Sequence, residues 1–191
     1  LDKRREAILK ALTALGKLSP ELEAQINAAT TISAIEDIYL PYKPKRKTRA
    51  SEARKKGLEP LALTLLEQGK SSPETEATTY INAELGVNSV EEALAGARDI
   101  VAEMINENAE TRTAMRQYFQ QRAIIKSTVI TGKEEEGVKY KDYFNWEEAV
   151  KSTPSHRMLA MRRGENEGIL KLEVLPPEDA AIQLVEKQYI K

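Results

Sequence analysis

One stretch constrains the fold more than any other. Ser89-Val-Glu-Glu92 has the pattern of a capping box, and behind it Val90, Leu94, Ala97, Val101 and Met104 recur at steps of four and three. That spacing places all five on one side of an α-helix running from Val90 to Asn106. Ala93, Ile100 and Ile105 widen the apolar side beyond a bare coiled-coil seam. At about 1.5 Å per residue the helix spans roughly 25 Å. A face of that length needs covering, so the rest of the chain is expected to be organised around this helix.

Composition agrees with a helical answer. Aromatics are scarce at 5%, charged residues reach 31%, and Ala, Leu, Glu and Lys are abundant. With 191 residues there is room for one large domain or two small ones, and for a buried core. The absence of cysteine excludes disulfides and thiolate metal sites. No apolar run approaches the roughly 20 residues of a membrane span, and no membrane association is expected. The first residue is Leu1 and a helical pattern is already running there, as expected for a piece of a longer polypeptide.

In chain order, residues 1–15 carry Ile8, Ala11, Leu12 and Leu15 on one face, with Gly16 as a C-cap. Ser19-Pro20 opens a second helix with Leu22, Ile26 and Ala29 inward. A third, around Ser33–Tyr39, holds Ile35, Ile38 and Tyr39. Short connections predict antiparallel packing of the three over 1–40. Pro41 and Pro44 bias Leu40 and Lys43 toward extended backbone, so Leu40–Lys47 is expected to be a strap. Ser51 to Gly57 reads as one or two helical turns with an N-cap and a glycine stop. The basic strap and short helix together span 41–57.

A central helical region is expected over 58–131, with helices at Leu58–Gln68 (ended by Gly69), Val90–Asn106 and about Glu110–Arg122. The last buries Met115, Tyr118 and Phe119 and is open to continuation through Ile124 and Ile125. The β-branched run Ser127–Thr131 fits either a strand or a helix end. A polar connector follows over 132–145, then a helix–turn–strand–helix segment over 146–191. In that segment Trp146–Val150 and Pro154–Arg163 read as helices, Gly164–Gly168 as a turn, Ile169–Leu175 as a strand, and Glu178–Tyr189 as a final helix. The expected class is mainly α, elongated, with a minor β strand or hairpin near 168–175. A lone strand there needs a partner from elsewhere.

Charge is the one functional signal. From Lys43 to Lys56, eight cations (Lys43, Lys45, Arg46, Lys47, Arg49, Arg54, Lys55 and Lys56) face only Glu52, a local charge of about +7 in a chain whose total is −1. Tyr39 and Tyr42 lie just upstream. Three readings are open. Lysine and arginine would contact phosphates of a nucleic acid, with Tyr42 under a base. Alternatively Arg46, Arg49 and Arg54 would pair with acids of a neighbouring domain, making an internal joint. The third reading is an ordinary solvated face.

Enzymatic chemistry is not expected. His156, the single histidine, has no evident second ligand or nucleophile partner beyond the adjacent Ser155. Glu134-Glu135-Glu136 lacks the spacing of a calcium or magnesium loop, and Gly164 and Gly168 bracket acids that would repel phosphate. No cofactor and no metal is expected.

Two long strings carry a family resemblance. YLPYKPKRKTRASEARKKGLEPLA, from Tyr39 to Ala62, and PSHRMLAMRRGENEGILKLEVL, from Pro154 to Leu175, resemble the N-terminal region of the Tex family of bacterial transcription accessory proteins. Tyr42–Arg49 and Gly164–Leu170 match without departure. The resemblance implies a cytoplasmic, nucleic-acid-binding protein linked to transcription and related to a eukaryotic elongation factor. The implied architecture is a mainly helical N-terminal part, then a ribonuclease-H-like domain, helix-hairpin-helix elements and an OB-fold RNA-binding domain. This chain resembles the helical part, onto which no catalytic residue of the family falls. The implied partners are RNA or DNA through phosphate contacts, RNA polymerase or associated factors, and downstream domains of the same polypeptide. A nucleic-acid surface would comprise Tyr42, Lys43, Lys45, Arg46, Lys47, Arg49, Arg54, Lys55 and Lys56. The alternative is a docking module whose strap pairs with acids of downstream domains or a protein partner.

Overall fold

The computed structural model describes residues 1–44 and 47–191; the expected site residues Lys45 and Arg46 lie outside the described residues. The chain is mainly α with one small antiparallel sheet of three strands. It divides into two compact units, Leu1–Thr113 with Gln188–Lys191, and Ala114–Lys187. Residues 132–145 lie inside the second.

The first unit opens with α1 (Asp2–Ala14), α2 (Pro20–Ala28) and α3 (Ile32–Tyr39) around Ile8, Leu12, Leu22, Ile26, Ile35 and Tyr39. Ser19 and Thr31 cap α2 and α3, accepting the N–H groups of Leu22 and Ala34 at 3.2 and 3.1 Å. Gly16, at φ +64°, ends α1 with Lys17 N–H donating to Leu12 O at 3.0 Å, a Schellman closure. Arg5 donates to the carbonyls of Ala29 and Ile26 at 2.9 and 3.3 Å, satisfying orphan groups at the end of α2. Leu40 departs from the expected extended strap. It is α-helical at φ −50°, ψ −43° and leads a 3-10 turn over Leu40–Tyr42, in which Pro41 occupies a first-turn position that needs no N–H. Lys43, before Pro44, is extended as its neighbour requires.

The rest of the first unit is built on the long helix. The short helix α4 (Arg49–Lys55), α5 (Glu59–Glu67) and α6 (Pro73–Thr78) cover α7 (Val90–Glu107). The core holds Ala50, Ala53, Leu58, Leu61, Ala62, Ala77, Val87, Ala93, Ala97 and Ile100. Ala93, Ala97 and Ile100 form the buried centre of α7, while Val90, Leu94, Val101 and Met104 are its half-buried flank. The stripe read from spacing is therefore rotated toward the residues that only widened it. Small residues face α4. Helix α5 ends one residue before the expected glycine: Gln68 itself adopts the left-handed conformation at φ 54°. Its side chain donates to Tyr189 O at 2.6 Å and accepts from Lys191 N–H at 3.0 Å, contacts with no counterpart for a glycine.

Helix α8 (Ala109–Arg122) runs from the first unit into the second and stops before Ile124. Ile124 and Ile125 begin β1 (Ile124–Val129) instead of prolonging the helix, which settles the β-branched run at 127–131 as mostly strand. The expected helix at 146–150 is β2 (Asn145–Ala149), paired antiparallel to β1 with Ser127 opposite Trp146 and Ile125 opposite Glu148. Its glutamates and alanine favour a helix locally, but Trp146 and Glu148 alternate inward and cross-strand packing prevails. Helix α9 (Ser155–Asn166) continues through Gly164, so the expected turn shrinks to Gly168 at φ +70°. Gly164 serves close approach: a Cβ there would lie 2.6 Å from Leu170 Cδ1. The expected strand is β3 (Leu170–Leu175), and its partner is β1 of the same chain, giving the order β2-β1-β3. Tyr140, Ile169 and Leu170 centre this unit's core, and α10 (Glu178–Tyr189) follows.

Candidate nucleic-acid interface

The basic stretch is held by a contact between small residues. Ala50 and Ala53 on α4 are buried against Ala93 and Ala97 on α7, with Gly96 between. A Cβ at Gly96 would stand 2.4 Å from Leu58 Cδ1 and 3.3 Å from Ala53 Cβ. A side chain there would force Leu58 to shift, so glycine lets α4 and α7 pack closely at this point. Its N-terminus is fixed three residues earlier than expected, by Thr48 rather than Ser51. Ser51 N–H donates to Thr48 Oγ1 at 3.0 Å, and Thr48 N–H donates to Ser51 Oγ at 2.8 Å, a reciprocal capping box. Gly57, at φ +76°, closes the other end with Leu58 N–H donating to Ala53 O at 3.2 Å.

Seated in this way, the cations divide into two groups. Arg54 turns inward, its side chain 28% exposed, donating to Glu59 at 3.2 Å and to Glu103, whose side chain is 12% exposed. Burial pulls the Arg54 guanidinium down, but the hydrogen bonds to Glu103 and Glu59 outweigh it and hold its pKa above the ordinary arginine value. Thr48 Oγ1 also donates to Glu103, at 3.2 Å, so one carboxylate of α7 pins both the cap and the body of α4.

The second group is exposed. Lys47 and Lys55 flank Glu52 at 3.5 and 2.9 Å, and Arg49 approaches Asp99 at 3.5 Å with its side chain 88% exposed. Lys56 donates to the backbone carbonyl of Gly86 at 2.9 Å. The Lys55 hydrogen bond, with Lys47 behind it, holds the Glu52 carboxyl below the usual range. Lys47, Arg49 and Lys56 line an open cleft of about 660 Å³ between α4 and α7, with Glu52, Glu92 and Asp99 along the same walls and Ala53, Leu58 and Gly96 at its floor. Upstream, Tyr42 and Lys43 are exposed, and Lys43 contributes to lowering the Glu36 carboxyl after the larger effect of Arg4.

Sequence reasoning missed the acids. Asp99 and Glu103 lie one turn apart on the most legible helix of the chain and meet Arg49 and Arg54 respectively. The signal was present: a local +7 in a chain of −1 requires a compensating excess of acid elsewhere. The remaining polar features stay apart. His156 is exposed near the start of α9, and Glu134, Glu135 and Glu136 are exposed in a turn, with Lys133 beside Glu136. Among the described residues no three His, Asp or Glu side chains gather in a way that would hold a metal ion, and no helix is long and apolar enough to cross a membrane.

Fold and site together define a helical module that seats a short cationic helix on an acidic long one. Residues 68–191 match the sequence profile of the Tex central region-like family. Protein YhgF of Escherichia coli strain K12 is 47% identical over 174 residues, covering 91% of this chain and 22% of the relative. Protein tex of Bordetella pertussis is 44% identical over 168 residues, covering 88% of this chain and 21% of its own length. The transcriptional accessory protein Tex of Neisseria gonorrhoeae is 43% identical over 183 residues, covering 95% of this chain and 24% of its own length. The chain belongs to the Tex family, and it spans between a fifth and a quarter of the length of these relatives.

Proposed function

We propose that this chain is a non-catalytic scaffold region of a cytoplasmic Tex-like transcription accessory protein, and that it contributes a basic surface for nucleic acid. One observation carries the reading: Lys47, Arg49, Lys55 and Lys56 stand exposed on and around one rigidly seated short helix. Lys43 and Tyr42 extend the surface upstream, and Lys45 and Arg46 belong to the same stretch of sequence. Contacts made by such cations go to phosphates, so recognition follows charge and backbone spacing rather than base sequence. The name of the gonococcal relative, a transcriptional accessory protein, favours partners within the transcription machinery.

A second reading has its own observation. Arg54, paired at depth with Glu103, behaves as a joint, and its acid comes from α7 rather than from another domain or protein. Arg54 therefore serves the seat of the surface rather than phosphate contact. The test is binding to single- and double-stranded DNA and RNA across a salt series. Four phosphate contacts give a slope of log K against log salt of about −3 on a single strand. Changing Lys47, Arg49, Lys55 and Lys56 to Gln removes those four contacts and flattens the slope by about 3 under the proposal. A folded wild-type chain that binds nothing at low salt sinks it and leaves the docking module.

A further inference from the structure

Every exposed cation of the α4 surface that lines or borders the cleft already has an acceptor, and the acceptors are not alike. Arg54 is held by Glu103, which is deeply placed and also takes Thr48. Lys47 and Arg49, by contrast, stand 3.5 Å from Glu52 and Asp99, at the outer limit of a hydrogen bond, with side chains 76% and 88% exposed. Glu52 is shared between Lys47 and Lys55. Among the described residues, Lys56 donates to a neutral carbonyl, that of Gly86. The cleft therefore has a fixed part and a part in which anions are exchangeable.

Resting on the phosphate-contact reading above, we propose that Glu52 and Asp99 are specificity-determining residues: they compete internally for Lys47, Lys55 and Arg49, so that the face selects polyanions and rejects isolated phosphates. A phosphate reaching Arg49 must displace the Asp99 carboxylate, and one reaching Lys47 or Lys55 must displace Glu52. Each event exchanges one anion for another, with little gain to offset the lost translational freedom of a small ion. A nucleic-acid strand makes several exchanges within one association, because after the first contact its other phosphates are present at high effective concentration. Lys56, with no carboxylate to displace among the described residues, is the natural first contact. Glu52 stays ionised well below neutral pH because Lys55, then Lys47, hold its carboxyl down, so the competition persists across the neutral range. The acids of the cleft thus set what the cations will accept.

The experiment uses the 191-residue chain with Glu52→Gln, Asp99→Asn and the double substitution, all near-isosteric and at partly exposed sites. A control double variant, Glu178→Gln with Glu186→Gln, changes net charge equally at exposed positions of α10. The probes are an oligothymidylate of about 20 nucleotides, which offers no exocyclic amino group, and thymidine monophosphate. Fluorescence anisotropy reads the first and competition against it reads the second. The Glu52/Asp99 double variant is expected to bind the oligonucleotide about three- to tenfold tighter, from up to three released surface pairs. Its salt slope steepens by about 0.7 for each cation set free. Thymidine monophosphate competes detectably only against the double variant.

Equal affinity of wild type and double variant, or the same gain from the α10 control, overturns the competition while leaving the surface itself in place. Effective competition by thymidine monophosphate at the wild-type chain overturns the selectivity. Binding that appears only in the double variant overturns the proposal, because Glu52 and Asp99 then block the face instead of tuning what it accepts. No binding by any folded variant removes both this inference and the phosphate surface on which it rests.

Discussion

Gly96→Ala tests whether the close α4–α7 approach seats the cationic helix. In the middle of a helix, alanine is favoured over glycine by about 1 kcal/mol. Opposing this, the new Cβ lies 2.4 Å from Leu58 Cδ1, where carbon atoms at rest prefer about 3.5–4.0 Å. Leu58 is 1% exposed, so its methyl must repack within the core or toward the cleft floor, and the strain of such insertions is typically about 1–3 kcal/mol. The balance predicts a net loss of about 1 kcal/mol. The decisive arm is a cycle with Leu58→Val, which removes the obstructing carbon. In that background the propensity gain is uncovered and Gly96→Ala becomes neutral to stabilising, a coupling of about 1–2 kcal/mol. Two compact units make a single unfolding curve hard to interpret, so native-state hydrogen exchange at the amides of α4 and α7 is the assay, beside urea unfolding by circular dichroism. A stabilising Gly96→Ala in the otherwise wild-type chain, with Leu58 intact, would refute the close-approach reasoning.

The two arginines of α4 should separate cleanly. Arg54→Gln removes the cation that the structure places against the deeply placed Glu103 and is expected to cost about 1–3 kcal/mol, little changed by salt, whereas Arg49→Gln stays within about 0.5 kcal/mol, as paired urea titrations at low and high salt would read. The Arg4–Glu36 pair gives a pH signature: the hydrogen bond from Arg4 lowers the Glu36 pKa, so its stabilisation is complete above the ordinary value of about 4.3 and fades as pH falls through the lower folded value. An NMR titration of the Glu36 carboxyl should move up toward the ordinary value in Arg4→Gln; an unchanged midpoint would contradict the pairing. Gly137→Ala should destabilise the second unit by about 2–3 kcal/mol, because its Cβ would meet Ile169 Cγ2 at 2.2 Å and the Lys133 carbonyl oxygen at 2.8 Å. Fluorescence of Trp146, the single tryptophan, reports that unit directly, and a melt identical to wild type would exclude the clash.

Local signals proved legible wherever the chemistry was local. Ser19, Ser89, Gly16 and Gly57 mark helix ends by their own side chains or their own φ, and each does so in the structure. Positions decided by distant neighbours were harder. Trp146 and Glu148 sit in a helix-favouring run and form a strand because β1 lies beside them. Gly164 resembles a turn residue, yet it lies in a helix, where its lack of a Cβ leaves room for Leu170 and Tyr140. Gln68 takes the left-handed cap that Gly69 was expected to supply, and its side chain finds partners more than a hundred residues away. At the site, the density of Lys and Arg was plain in the sequence. Which cations are held inward, as Arg54 is by Glu103, and which stay exposed, as Arg49 does beside Asp99, depended on the rotation of α7, whose buried centre is Ala93, Ala97 and Ile100 with the rest of the stripe at its flank. A shift of that kind moves the acids relative to α4 without altering the pattern of apolar residues.

The most direct test of the account is a footprint of lysine reactivity. The chain is treated with a limiting amine acylating reagent, with and without saturating single-stranded oligonucleotide, and modification at each lysine is read by mass spectrometry. Phosphate contact at the α4 surface predicts that Lys47, Lys55 and Lys56 lose reactivity together on binding, while Lys171 on β3, 66% exposed at its side chain, does not change. Protection that appears at Lys171 and leaves the three α4 lysines unaltered would contradict the assignment of the surface.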